Sequence, residues 1–141
     1  MKKVLVICSN YYEEISNNLI KGTSDYLKKK KIDFEIIFVD GCLEIPFLLS
    51  KLKKKYAGYV LLGCIIKGET DHYDVVKNIT LNHIYDIAYN NHLPLGTAIL
   101  TVNNFSQARV RSNPKKKNLG SNAAKACLNL IELMNEKRTK K

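Results

Sequence analysis

Tyr59-Val60-Leu61-Leu62-Gly63-Cys64-Ile65-Ile66-Lys67-Gly68-Glu69-Thr70-Asp71-His72-Tyr73-Asp74 is the stretch on which the fold of this chain turns. Its apolar opening, Tyr59 to Leu62, reads as a buried strand, and a helical pattern begins near Tyr73. Two glycines, a lysine, a threonine and a histidine therefore fall where a strand hands over to a helix. In open α/β sheets, ligands bind at the carboxyl ends of strands. The N–H groups at a helix start attract anions such as phosphate, and histidine moves protons near neutral pH. The handover combines a place for an anion with a proton carrier.

On either side of it, strand and helix patterns alternate. Lys3 to Cys8, Phe34 to Val39, Ala57 to Cys64 and Gly96 to Thr101 read as strands. Helical spacing recurs in Ile15, Leu19, Ile20, Thr23, Tyr26 and Leu27, with Lys28 to Lys31 ending that helix. Ile45, Leu48, Leu49 and Leu52 mark a short helix with Pro46 in its first turn, where proline is tolerated. Val75, Val76, Ile79, His83, Ile84, Ile87 and Ala88 form one face of a third helix. Asn103 or Asn104 caps a helix carrying Phe105 and Ala108, which Asn113-Pro114 breaks. Ala123, Ala124, Cys127, Leu130, Ile131 and Met134 recur on a last helix, and the basic tail after Glu136 is expected to fray. The alternation predicts an α/β fold: a three-layer α/β/α sandwich on four parallel strands, one domain over residues 1–141. Its open edges are a liability, expected to be short or covered by a neighbouring chain.

Composition excludes several classes. The chain has 141 residues and 45% apolar content, enough for a single core. No apolar run nears the roughly 20 residues of a membrane span. The apolar run Val4 to Cys8 is shorter than the about 7–15 residues of a secretory signal core, which predicts a cytoplasmic protein. Cys8, Cys42, Cys64 and Cys127 show no zinc-ligand spacing and read as buried hydrophobes. The net charge is +10, with 20 of the 23 basic residues lysine. A nucleic-acid reader more often shows arginine with interleaved aromatics, so the lysine runs read as solvated faces.

Four strand ends should deliver one rim: Ser9 to Tyr12, Gly41 to Glu44, Cys64 to His72, and Thr101 to Asn103. Lys67 offers a point charge, the Gly68-Glu69-Thr70 turn offers backbone N–H groups, and Tyr11 offers an aromatic face. A planar heterocycle with polar edges, together with a phosphate, fits that set. His72 is the candidate proton carrier, with a structural or solvated role as the alternative. His83 reads as a core or interface residue and His92 as solvated. Glu44 starts a helix, where a carboxylate is favourable with or without a ligand. One of Arg109 and Arg111 is a candidate phosphate ligand, with an ordinary surface role as the alternative.

These segments resemble the lumazine synthase (6,7-dimethyl-8-ribityllumazine synthase) family over nearly the whole chain. Gly63 to Asp74 is similar to a family pattern ending in Arg/Lys-Gly-Glu-Thr-x-His. Gly41-Cys42-Leu43-Glu44-Ile45-Pro46 is similar to its Gly-Ala-Phe-Glu-Ile-Pro, and Leu100-Thr101-Val102-Asn103 with Gln107-Ala108 to its fourth strand and following helix. The resemblance implies a flavodoxin-like sandwich and a condensation of 5-amino-6-(D-ribitylamino)uracil with 3,4-dihydroxy-2-butanone 4-phosphate. It implies no cofactor and no metal. Tyr11 stands for a Phe that stacks on the pyrimidine; Cys42, Leu43 and Glu44 for residues along the ribityl chain; Cys64, Ile65 and Ile66 for backbone contacts to the uracil edge. Lys67, Glu69 and Thr70 stand at the phosphate end, and His72 at the proton donor. Thr97 and Arg111 stand where a neighbouring subunit reaches in, Arg111 onto the phosphate. The family forms pentamers, some of which build sixty-subunit shells.

The chain departs from the pattern in places. Tyr11-Tyr12 replaces Phe-Asn, and Thr97 removes an aromatic wall found in many members. Residues 113–119 lack the glycines associated with shells, and no N-terminal extension precedes the first strand. The departures favour a lone pentamer. Two rival readings remain on sequence: a flavin- or lumazine-binding module of the same fold without catalysis, and a basic nucleic-acid-binding protein.

Overall fold

The computed structural model describes residues 2–69 and 72–135. In chain order they form β1 (Val4–Ser9), α1 (Glu13–Lys29), β2 (Phe34–Val39), α2 (Ile45–Leu52), β3 (Gly58–Ile66), α3 (Tyr73–Asn91), β4 (Leu95–Val102), α4 (Phe105–Ser112) and α5 (Leu119–Asn135). One 3-10 turn, Cys42–Glu44, leads into α2. The strands make an all-parallel sheet in the order β2-β1-β3-β4. Every residue of β1 and β3 is buried, as central strands covered on both faces must be. Alternate side chains serve the two faces. Val4, Val6, Val60, Leu62 and Leu100 pack against Ile15 and Leu19 of α1 and Ala124 and Cys127 of α5. Leu5, Ile7 and Leu61 pack against Ile45 and Leu49 of α2 and Ile84 and Ala88 of α3. Burying one such side chain contributes about 1.5–3 kcal/mol. The expected three-layer, flavodoxin-like sandwich is the fold.

The strand order reverses between β1 and β3, which places a crevice at their carboxyl ends. β3 runs farther into it than the sequence predicts. Ile65 and Ile66 continue the ladder opposite Thr101 and Val102 of β4, and the Lys67 N–H donates to the Val102 carbonyl at 2.8 Å. Ile65 and Ile66 are therefore strand, and the turn starts at Lys67. Gly68, at φ 91°, takes a conformation that a side chain strains. On α3 the buried residues are Thr80, Ile84 and Ala88, while Val75, Ile79 and His83 are exposed. The core reading of His83 is thereby corrected: the apolar stripe is wider than its contact with the sheet. Leu130 and Met134 of α5 likewise reach solvent. Asn104, not Asn103, caps α4, its Oδ1 accepting from the Gln107 N–H at 2.9 Å.

The edges differ. β2 is six residues long, no shorter than β1, and Phe38 on it is 51% exposed. β4 lies under α5, and at Gly96 the two backbones approach closely: a Cβ there would collide with the Ala123 carbonyl oxygen. Gly96→Ala is therefore expected to lower unfolding stability by about 1–3 kcal/mol through forced separation of β4 and α5. Urea unfolding followed by far-UV circular dichroism checks this, and an unchanged midpoint would refute it.

Candidate active site

Three of the four predicted strand ends meet. They enclose a cleft of about 220 Å³ at the switch point, lined by Tyr11 and Tyr12 after β1, Gly41 to Glu44 after β2, Cys64 to Ile66 and Glu69 from β3 and its turn, and Val76 of α3. The loop after β1 is fixed by one buried hydroxyl. Ser16 Oγ lies 2.7 Å from the Ser9 carbonyl and 3.0 Å from the Tyr12 carbonyl, and the Ser16 N–H donates to Tyr12 at 2.9 Å. The Asn10 N–H reaches back to Val39 at the end of β2 at 2.9 Å. Tyr11, 69% exposed, presents its ring at the mouth.

The predicted residues divide accordingly. Tyr11, Cys42, Leu43, Glu44, Cys64, Ile65, Ile66 and Glu69 line this one cleft. Lys67 is exposed in the turn beside it, and Thr70 lies outside the described residues. His72 is exposed at the residue preceding α3, its carbonyl accepting the Val76 N–H at 2.9 Å. The turn's own amides are partly spent: the Glu69 N–H donates to Ile66 at 3.1 Å, so the turn supplies fewer donors than expected. Thr101 to Asn103 do not line the cleft. Thr97 stands near the start of β4 opposite Leu61, its hydroxyl 2.8 Å from that of Tyr85 on α3. Arg111 is half-buried on α4, with Nη1 3.5 Å from the Gln107 carbonyl. Arg109, its rival, is committed elsewhere: it ion-pairs with Glu14 at 3.0 Å and lies 4.7 Å over the Phe105 ring.

Sequence reasoning missed Val76 as a lining residue; Gly41 and Tyr12 stood on the predicted rim without a binding role, and both line the cleft. The signal for Val76 was its position one helical turn after His72, which puts the two on one side of α3.

The thiols and the phenol at the cleft are not activated nucleophiles. Burial pushes the Cys8 and Cys64 thiols up to about 12, and burial also raises Cys42. Burial, then Glu69, pushes the Tyr12 phenol up to about 12. At neutral pH these groups stay protonated, and a thiol rather than a thiolate is a poor nucleophile. The folded protein is expected to react with an aromatic disulfide reagent far more slowly than the denatured chain, whose four free cysteines should all titrate. Fast labelling of the native state would contradict this. Among the described residues no His, Cys, Asp or Glu cluster could hold a metal ion, and no helix is long and apolar enough to cross a membrane.

Beyond the cleft, an apolar groove between α2 and α3 begins at the shared residue Leu43. It continues over Pro46, Phe47, Ile79, His83 and Ile87. Phe47 is 78% exposed there.

Comparison with known proteins gives a match to the family model described as 6,7-dimethyl-8-ribityllumazine synthase over residues 1–135. A protein of that name from Paramagnetospirillum magneticum is 37% identical over 145 aligned positions, covering 96% of this chain and 97% of the relative. Its namesake from Bartonella henselae is 39% identical over 92% of this chain and 86% of the relative. One from Leuconostoc mesenteroides is 38% identical over 95% and 87%.

Proposed function

The chain belongs to the 6,7-dimethyl-8-ribityllumazine synthase family, and from that premise we propose the reaction it performs and the residues that perform it. It is an enzyme, a transferase, and its place is riboflavin biosynthesis. The proposed reaction condenses 5-amino-6-(D-ribitylamino)uracil with 3,4-dihydroxy-2-butanone 4-phosphate. The 5-amine attacks the ketone and an imine forms with loss of water. Phosphate is then eliminated, and the ribitylamino nitrogen closes the second ring with loss of water. The product is 6,7-dimethyl-8-ribityllumazine.

The observation that carries this reading is the convergence of Tyr11, Cys42 to Glu44, Cys64 to Ile66 and Glu69 on one cleft at the switch point, with Lys67 beside it. Tyr11 stacks on the pyrimidine. The backbone of Cys64, Ile65 and Ile66 reads its edge, and the segment from Cys42 to Glu44 follows the ribityl chain. Lys67 and the start of α3 stabilise the departing phosphate, where developing charge rewards fixed donors, with Glu69 and Thr70 at the same end. His72 carries protons between the amine, the ketone and the leaving group. Two reactive molecules held in register gain about 7–11 kcal/mol from orientation alone.

The cleft is small against the ~300–1,000 Å³ of complete small-molecule sites. That supports a site finished by a neighbouring chain in a homopentamer, through Thr97 and Arg111. The exposed apolar groove running from Leu43 to Ile87 supports it further, since such a patch beside a site marks an interface. Sixty-subunit assembly is the larger alternative.

The test is to mix the purified protein with both substrates and follow lumazine absorbance and fluorescence. Formation above the spontaneous rate supports the reading. No enhancement from folded, oligomeric protein overturns it and leaves a flavin- or lumazine-binding module of the same fold.

A further inference from the structure

Three aromatic rings stand in contact between the mouth of the cleft and α4. The Tyr11 and Tyr12 ring centroids are 4.9 Å apart with planes at 86°. Tyr12 and Phe105 are 5.8 Å apart at 85°. Both are edge-to-face pairs, the arrangement that ring quadrupoles favour. The far end of the column is closed by charge. The Arg109 guanidinium lies 4.7 Å over Phe105 and ion-pairs with Glu14 at 3.0 Å. Glu14 sits in the first turn of α1, and Tyr12 is the residue that starts that helix. The chain of contacts thus returns to its own beginning, and two helices far apart in sequence hold it.

The middle residue, Tyr12, is anchored through its backbone. Its carbonyl accepts from the Ser16 N–H at 2.9 Å, with Ser16 Oγ 3.0 Å away. Tyr11, in contrast, is 69% exposed on a loop, with most of its ring open to a ligand. A ring in that position loses rotamer freedom when something stacks on it, and that loss subtracts from affinity. Contact with a ring that is already fixed removes part of the loss in advance.

We propose that Tyr12, Phe105 and Arg109 are positioning residues that hold the Tyr11 ring as a preset wall and so govern affinity for a planar heterocyclic substrate. The inference rests on the proposed function for the identity of that substrate, but not for the column itself. Phe105 and Arg109 lie outside the cleft, so they act through the rings and not by touching substrate.

Phe105→Leu is the first variant, because it keeps an apolar residue on α4 and removes the third ring. It is expected to raise KM for the ribitylaminouracil about 2- to 10-fold, the worth of one aromatic pair. The KM for the butanone phosphate and kcat should stay as they were. Arg109→Gln should shift the same KM in the same direction by less. In a Tyr11→Leu background, Phe105→Leu should have almost no further effect, because the wall it supports is gone.

An independent arm uses the absence of tryptophan from the chain. Tyr11→Trp installs a single tryptophan at the mouth, excited apart from the remaining tyrosines, and time-resolved anisotropy reads its local motion. Adding Phe105→Leu should enlarge the fast component at a temperature well below the thermal midpoint of either variant. Unchanged heterocycle KM in an enzyme that still makes lumazine overturns the proposal. Unchanged fast motion overturns it too, whatever the activity assay gives. If the starting protein makes no lumazine, the reaction reading falls, and the anisotropy alone decides whether the column restrains the ring.

Discussion

His72→Ala is expected to slow lumazine formation by about 10²–10⁴-fold, the usual worth of a positioned proton carrier, without abolishing it. The residue is exposed, and the buried anchors of its helix are Thr80, Ile84 and Ala88, so its loss should leave the fold and the assembly intact. What remains is the advantage of holding two reactive molecules together, which the ring wall and the phosphate-end groups provide without it. The split also predicts which constant moves: kcat falls, and the two KM values change little, because proton transfer is a transition-state interaction. Steady-state kinetics under varied concentrations of each substrate checks it. Unaltered kcat would remove His72 from the mechanism. Complete loss of activity in a folded, assembled variant would mean that orientation contributes far less than argued here.

The reach of the sequence is clearest where the relevant physics is local. The unbroken apolar runs of β1 and β3 announce central strands of a parallel sheet, because both faces of such strands must be covered. The cap of α4 and the proline at the start of α2 are equally local and were legible to within a residue. The end of β3 was not. The strand reads as ending at Cys64, and only the register with β4, which pairs Ile66 with Val102, carries it onward. His83 repeats at helical spacing with core residues, yet periodicity cannot separate a face packed on a sheet from one facing a groove. Arg109 and Arg111 are two positions apart on one helix and indistinguishable by pattern. What separates them is Glu14, 95 residues away, which claims Arg109. The ring column is non-local in the same way: Tyr11 and Tyr12 are neighbours in sequence, but Phe105 meets them only after the sheet is built. For the candidate site, the lining from β1, β2 and β3 could be read from motif positions. Resemblance alone named Thr97 and chose Arg111 over Arg109, and neither lines the cleft of its own chain.

That last point makes Arg111→Ala the more informative of the two large-effect variants. Its guanidinium hydrogen-bonds, among the described residues, to a carbonyl of its own helix at 3.5 Å, so truncation should cost little stability. If it grips phosphate in a neighbour's site, it supplies a charge-assisted hydrogen bond worth about 1.5–3 kcal/mol, and KM for the butanone phosphate should rise about 10- to 100-fold while that for the ribitylaminouracil holds. Arg111→Lys should recover part of the loss, since a lysine retains the charge but not the paired donors. Which chain the arginine serves is decided by mixing. In a ring whose interfaces join unlike patches, every site draws on two subunits. Arg111→Ala and His72→Ala subunits, unfolded together and reassembled in equal amounts, should then regain about one quarter of native sites, because random neighbours give that share an intact His72 facing an intact Arg111. Separate reassembly of each variant should regain none. Arginine serving its own chain's site gives the opposite result, since no mixture can then unite the two intact residues, and the mixed sample would show only the average of the two weak variants.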